Sequence, residues 1–198
     1  DRRKSLVGSE MCIRDSFCLS LLALGGCGSL LATMEVDAIE EDEGERTMGR
    51  WLEDENIETK AMVNVRGSND AFDNAHLVIV SYNGYVLIAG QVPTQALKDQ
   101  ATRVVKEVRG VRRIYNELEI AAPSSGMTRT SDTWITSKVK SFMLASSDIQ
   151  GNRVKVVTEN GVVYLMGLAT RDEAERIAAE AADTSGVQRV VKLFELLD

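Results

Sequence analysis

The sequence predicts an α+β protein made of two tandem αββαβ units, each a three-stranded mixed sheet packed on two helices. Two observations predict it. The first is an internal repeat: residues 77–90 align with residues 154–167, so that Asn83-Gly84 matches Asn160-Gly161 and Gly90 matches Gly167. The second is a shared order of periodicities. In both copies two β-rich runs flank Asn-Gly, an apolar stripe at helical spacing follows, and a further β-rich run ends the copy.

Ahead of the repeat, residues 17–26 form a short apolar run that closes on Gly25, Gly26 and Cys27. The run is about half of the ~20 residues that span a bilayer, so it reads as the apolar part of a signal segment. A buried core helix is the weaker reading, because the glycines at 25, 26 and 28 would end it at once. The run resembles the lipobox of bacterial lipoproteins, which implies cleavage before Cys27 and lipid on its thiol. Residues 1–26 are therefore read as a signal segment. Residues 1–16 resemble a translated sequencing adapter, and nothing about the fold is read from them. The three cysteines are Cys12, Cys18 and Cys27, so a chain cut before Cys27 has no pair with which to form a disulfide.

Residues 27–46 read as a lipidated acidic tether, because Glu35, Asp37, Glu40, Glu41, Asp42, Glu43 and Glu45 crowd into it. The formal net charge of −7 argues against a general nucleic-acid binder. The first unit is expected over residues 47–122, a linker over 123–130 and the second unit over 131–198. A helix is expected near residues 54–65 and again near 132–145, ahead of each hairpin. Asn-Gly is a strong hairpin signal because both turn residues must accept positive φ. The stripe Leu97, Ala101, Val104, Val105 and Val108, closed by Gly110, predicts the second helix of the first unit. Ala174, Ile177, Ala178 and Ala181, closed by Gly186, predict its counterpart, and Thr170 with Glu173 predicts a capping box at its start. Residues 111–120 and 187–197 supply the last strands. Each unit alone has a thin core, so the two are expected to pack on one another.

Little in the chain points to catalysis. His76 is the only histidine and directly precedes an expected strand, which favours a strand-edge residue over a general base. No His/Cys spacing suits zinc, and no glycine-rich phosphate loop is present. No catalytic residue, metal or cofactor is expected.

The helix near residues 132–145 carries more information. At ~100° per residue from Trp134, the residues Ile135, Phe142, Val139 and Met143 fall between about 80° and 180°, a stripe suited to the core. Leu144 points away from it, with Lys138 beside Trp134, Lys140 beside Leu144 and Ser141 between the two. An indole, a leucine and two lysines on one surface suit a membrane interface. Partial burial of Trp and Leu would contribute ~2–4 kcal/mol, and each lysine ~1 kcal/mol near anionic lipid. The spacing is equally consistent with Trp134 packing against the other unit.

The stretches from Ser131 to Val139, from Val156 to Gly161 and on through Leu165-Met166-Gly167-Leu168, and from Val111 to Glu117 resemble BON domains, named for bacterial osmotic-stress and nodulation proteins. With the lipobox, the chain resembles dual-BON outer-membrane lipoproteins. The resemblance implies a non-enzymatic protein on the periplasmic face of the outer membrane, with Gly28 after the lipidated Cys27 opposing inner-membrane retention. It implies binding of anionic phospholipid such as phosphatidylglycerol through the second domain, where Trp134, Val139 and Leu144 match the family motif. The expected lipid-binding residues are thus Trp134, Leu144, Val139, Lys138, Lys140 and Ser141. It also implies support of envelope integrity and enrichment at the division septum. The rival expectation is an adaptor for the outer-membrane β-barrel assembly machinery, working through the basic face Lys98, Arg103, Lys106 and Arg109.

Overall fold

The computed structural model describes residues 46–145 and 153–197. The signal segment, Cys27 with its expected lipid, and the tether through residue 45 lie outside the described residues.

In the first copy, helix α1 (Met48–Gly67) leads through a short 3-10 turn (Asp70–Asn74) into β1 (His76–Tyr82) and β2 (Tyr85–Val92). Helix α2 (Gln95–Lys106) and the short strands β3 (Arg113–Asn116) and β4 (Glu119–Ile120) complete it. In the second copy, α3 (Gly126–Ala145) precedes β5 (Val154–Glu159), β6 (Val162–Ala169), α4 (Arg171–Ala182) and β7 (Arg189–Leu196). Both hairpins turn on Asn-Gly with positive φ at each residue, 51° and 75° in the first and 50° and 74° in the second. Thr170 and Glu173 form the expected capping box on α4.

In each sheet the hairpin strands pair antiparallel, and the final strand adds parallel to the hairpin's second strand. The sheets differ in one respect. The third strand of the first copy is interrupted at Glu117 and Leu118, so β3 and β4 pair separately with β2 and the sheet counts four strands. The cause is local: Leu118 turns into the core, while the Asn116 amide donates to Lys98 O at 2.7 Å and to Thr102 Oγ1 at 2.6 Å on α2. Its counterpart β7 runs unbroken beside β6.

Alternation along the strands divides the apolar residues between two faces. Leu77, Ile79, Val86, Ile88 and Val92 face α1 and α2, and Val154, Val156, Val163 and Leu165 face α3 and α4. The opposite faces meet each other: Val80, Tyr82, Leu87 and Ala89 of the first sheet pack on Val162, Tyr164, Met166 and Leu193 of the second. The result is a helix–sheet–sheet–helix stack, which places both helical layers outermost. β2 is buried along almost its whole length because both of its faces are covered.

Polar contacts rim this seam in a pseudo-twofold pattern. Asn83 Nδ2 donates to Glu195 at 2.6 Å, and its repeat partner Asn160 donates to Glu119 at 3.5 Å. Arg112 grips both Glu195 oxygens, at 2.9 and 2.6 Å. Burial alone would raise the Glu195 carboxyl, but the Arg112 and Asn83 hydrogen bonds outweigh it and hold it below its ordinary value. Lys155 reaches Glu58 at 2.5 Å, and Glu159 accepts from Gln91 at 3.0 Å and meets His76 Nε2 at 3.0 Å. Burial pushes the Tyr164 phenol up to about 12.

Candidate membrane-docking face

The candidate site lies on the outer face of α3. Its helix begins where Ser125 Oγ accepts the Thr128 N–H at 3.1 Å, an N-cap inside the stretch expected to be linker. Residues 126–130 are accordingly helical rather than linker. The buried row is Asp132, Ile135, Val139 and Met143, at helical spacing.

Asp132 sets the rotation of the helix. Its carboxylate accepts the N–H groups of Asn160 and Gly161, each at 2.9 Å, and so ties the helix to the hairpin turn. Two residues later the chain has turned ~200°, which leaves Trp134 about 160° away from the pinned direction. The first copy repeats the device. Asp54 accepts from Asn83 N at 2.8 Å and Gly84 N at 2.9 Å, and also from Ser81 and Arg46. Burial alone would raise the Asp54 carboxyl, yet these four hydrogen bonds outweigh it and hold it below its ordinary value. The sequence analysis missed both aspartates. The available signal was an acid placed 29 and 28 residues before the turn asparagine in the two copies.

The outward residues include four large apolar side chains. Trp134 is 65 % exposed and Leu144 70 % exposed, so the indole lies on the surface rather than between the units. Phe142 departs from expectation: it was assigned to the core stripe and is 52 % exposed. The buried row is centred near Val139, and three residues on from Val139 a helix has rotated ~300°, ~60° short of a full turn, which brings Phe142 to the rim. Met127, 85 % exposed, joins the ridge and went unnoticed because it fell in the presumed linker.

The remaining expected residues divide. Val139 is fully buried and contacts no surface, so it can only hold the helix against its sheet. Lys138 is half-buried and donates to the Ser185 carbonyl, which ties it to the loop after α4. Ser141 is exposed, but its hydroxyl bonds back to Ser137 O at 2.8 Å. Lys140 is exposed and has no ion-pair partner among the described residues. The rival basic face is thinner than its sequence implied. Lys98 turns inward to Leu118 O at 2.7 Å, leaving Arg103, Lys106 and Arg109 exposed. His76 opens β1 and lies against Glu159 across the seam. Among the described residues no helix is long and apolar enough to cross a membrane, and no cluster of metal-ligating side chains is found.

Comparison with known proteins agrees with this architecture. The BON domain profile matches residues 53–122 and 131–198. The chain is 37 % identical to the outer membrane lipoprotein DolP of Haemophilus influenzae, over 89 % of this chain and 88 % of that protein. It is 34 % identical to a 21 kDa hemolysin of Actinobacillus pleuropneumoniae, covering 75 % and 77 % respectively. Osmotically-inducible protein Y of Escherichia coli is 27 % identical, covering 83 % and 88 %. Two BON domains, folded back to back, make this chain a member of the BON-domain family.

Proposed function

We propose that the protein is a non-enzymatic outer-membrane lipoprotein facing the periplasm, which docks on anionic phospholipid through the outer face of α3. Lipid on Cys27 would anchor it, and the acidic tether would give it reach. In this reading the docking supports envelope integrity and enrichment at the division septum.

One observation carries the reading: Trp134, Phe142, Leu144 and Met127 all face solvent on a helix whose rotation is fixed by buried Asp132. An apolar ridge held outward in this way has no partner within the described chain. Transferring part of the ridge into a headgroup layer would contribute roughly 3–5 kcal/mol. That is weak for a free protein and ample for a tethered one, whose anchor raises the local concentration of membrane. Lys140 adds charge attraction on the same helix.

Flotation with phosphatidylglycerol vesicles tests the reading. Trp134→Glu is expected to abolish binding while leaving the melting temperature unchanged, because the indole touches no core. Parental binding by that variant would remove the docking face. A second reading, an adaptor for the outer-membrane β-barrel assembly machinery, draws on Arg103, Lys106 and Arg109, which are exposed on α2 and lack ion-pair partners among the described residues. A single dominant protein crosslink from that face in cells would favour it, and none would favour lipid alone.

A further inference from the structure

Each sheet has two outer edges, β1 and the β3–β4 pair in the first unit, β5 and β7 in the second. An open edge presents backbone N–H and C=O groups that a further strand can bond, and folds commonly blunt it with breaks or charges. Both edges of the first unit are blunted. On β1 the outward Ser81 gives its N–H to Glu58 at 2.7 Å, and its carbonyl accepts from Lys155 at 3.4 Å. On the other side the strand is broken between β3 and β4, where Leu118 turns into the core.

β7 has neither device. It runs eight residues in unbroken register beside β6 and contains no proline. The Leu197 N–H donates to Ala169 O of β6 at 3.2 Å. Bonding direction alternates along a strand, so Val190, Lys192, Phe194 and Leu196 turn their N–H and C=O groups to the open side. No described strand pairs with them there. The charges that would guard the edge are drawn off it. Lys192 pairs with Glu175 on α4 at 2.5 Å, and Glu195 pairs with Arg112 across the seam at 2.6 Å. Leu196 and Leu197 are left exposed at one end. At the other, Arg189 is exposed and has no ion-pair partner among the described residues.

We infer that β7 accepts an extended segment of another protein as a further strand of its sheet. The four outward residues each offer one donor and one acceptor, so main-chain hydrogen bonds hold the segment and flanking side chains select it. The segment that fits alternates apolar and polar residues. It lays apolar side chains beside Val190 and Leu196 and carries an acid where it meets Arg189. A second copy of this chain fits the edge poorly. Antiparallel self-pairing about Leu193 sets Arg189 against Leu197 at both ends, and self-pairing about Lys192 sets two ammonium groups face to face. The inference goes beyond the membrane-docking reading, because no residue of α3 takes part and either can stand without the other.

Amide hydrogen exchange of the full chain, resolved residue by residue, tests the strand addition. The probe is a synthetic peptide, Glu-Val-Thr-Val-Thr-Val-Thr-Val, compared with the same peptide N-methylated at every residue. The unmodified peptide is expected to slow exchange roughly tenfold at Val190, Lys192, Phe194 and Leu196, while Val191 and Leu193, already bonded to β6, hold their rates. The methylated peptide, which has no backbone donors and cannot join a ladder, is expected to slow none. Lys192→Pro removes one outward N–H and leaves the bonds to β6, so it should weaken the peptide roughly tenfold. Lys192→Gln loses the same ion pair but keeps the N–H, and should bind as the parent does. Unchanged amides up to the solubility limit of the peptide would overturn the inference. So would equal protection by the methylated peptide, or parental affinity in the proline variant. Protection of the same four amides on concentrating the protein without peptide would make a second copy the occupant and overturn the assignment to another protein.

Discussion

The first helices of the two units, α1 and α3, are twins on the inside and strangers on the outside. Each is pinned to its hairpin turn by a buried aspartate, Asp54 or Asp132, and each buries a short apolar row behind it. On α1 the exposed large apolar residues are Met48, Trp51 and Leu52 in the first turns, with Val63 alone near the far end. On α3 they run from Met127 through Trp134 to Phe142 and Leu144, spanning the helix. Inward positions answer to the turn and the sheet and so repeat, whereas outward positions answer only to what the helix meets. The proposed docking assigns the membrane-facing surface to the second unit, where the exposed apolar residues span the helix.

The largest expected effects break the shared part. Replacing Asp54 with Ala strands the turn N–H groups, Ser81 and Arg46, and should cost about 3–5 kcal/mol in chemical denaturation. Asp132→Ala strands only the turn pair and should cost less, about 2–3 kcal/mol. Equal losses would mean that the two clamps do not differ as their hydrogen bonds do.

Acid sharpens the comparison further. Asp54 and Glu195 both titrate below their ordinary values in the folded chain, so the stability they confer is complete above the ordinary carboxylate range. It is lost as pH falls through the depressed folded values. Melting temperature is therefore expected to hold between pH 7 and about 5 and to drop below about 4. Asp54→Asn should flatten that drop, and an unchanged profile would show that the clamp is not what titrates.

A smaller effect separates core from surface within α3. Val139→Ala should cost about 1–3 kcal/mol of stability with vesicle binding intact at temperatures where the chain stays folded. Smallest is Lys140→Gln, expected to weaken binding to anionic vesicles about fivefold with no change in melting. A Lys138→Gln variant is expected to do less to binding, because that ammonium already serves the Ser185 carbonyl.

Local chemistry is what the sequence makes legible. The Asn-Gly hairpins, the capping box and the αββαβ order each depend on neighbours a few residues apart, and all are present. Packing of the units on one another was legible in outline, since each alone has a thin core. Its specific pairs were not: Arg112 meets Glu195 across 83 residues, and no local pattern encodes that match. Phe142 shows the limit of a helical wheel, which gives relative angles but not the direction of the core. Asp132 supplies that direction, and a buried aspartate reads in sequence like any exposed one. The same uncertainty left Trp134 equally open to the seam and to solvent until the helix rotation was known.

The claim that the α3 ridge enters a lipid layer is tested most directly by the depth of its indole. In the Trp51→Phe background, Trp134 fluorescence is measured in phosphatidylglycerol vesicles carrying bromine at graded acyl positions. The account predicts strong quenching by bromine nearest the headgroup and a blue-shifted emission. Emission that stays at its solution wavelength, unquenched at every depth, would contradict it.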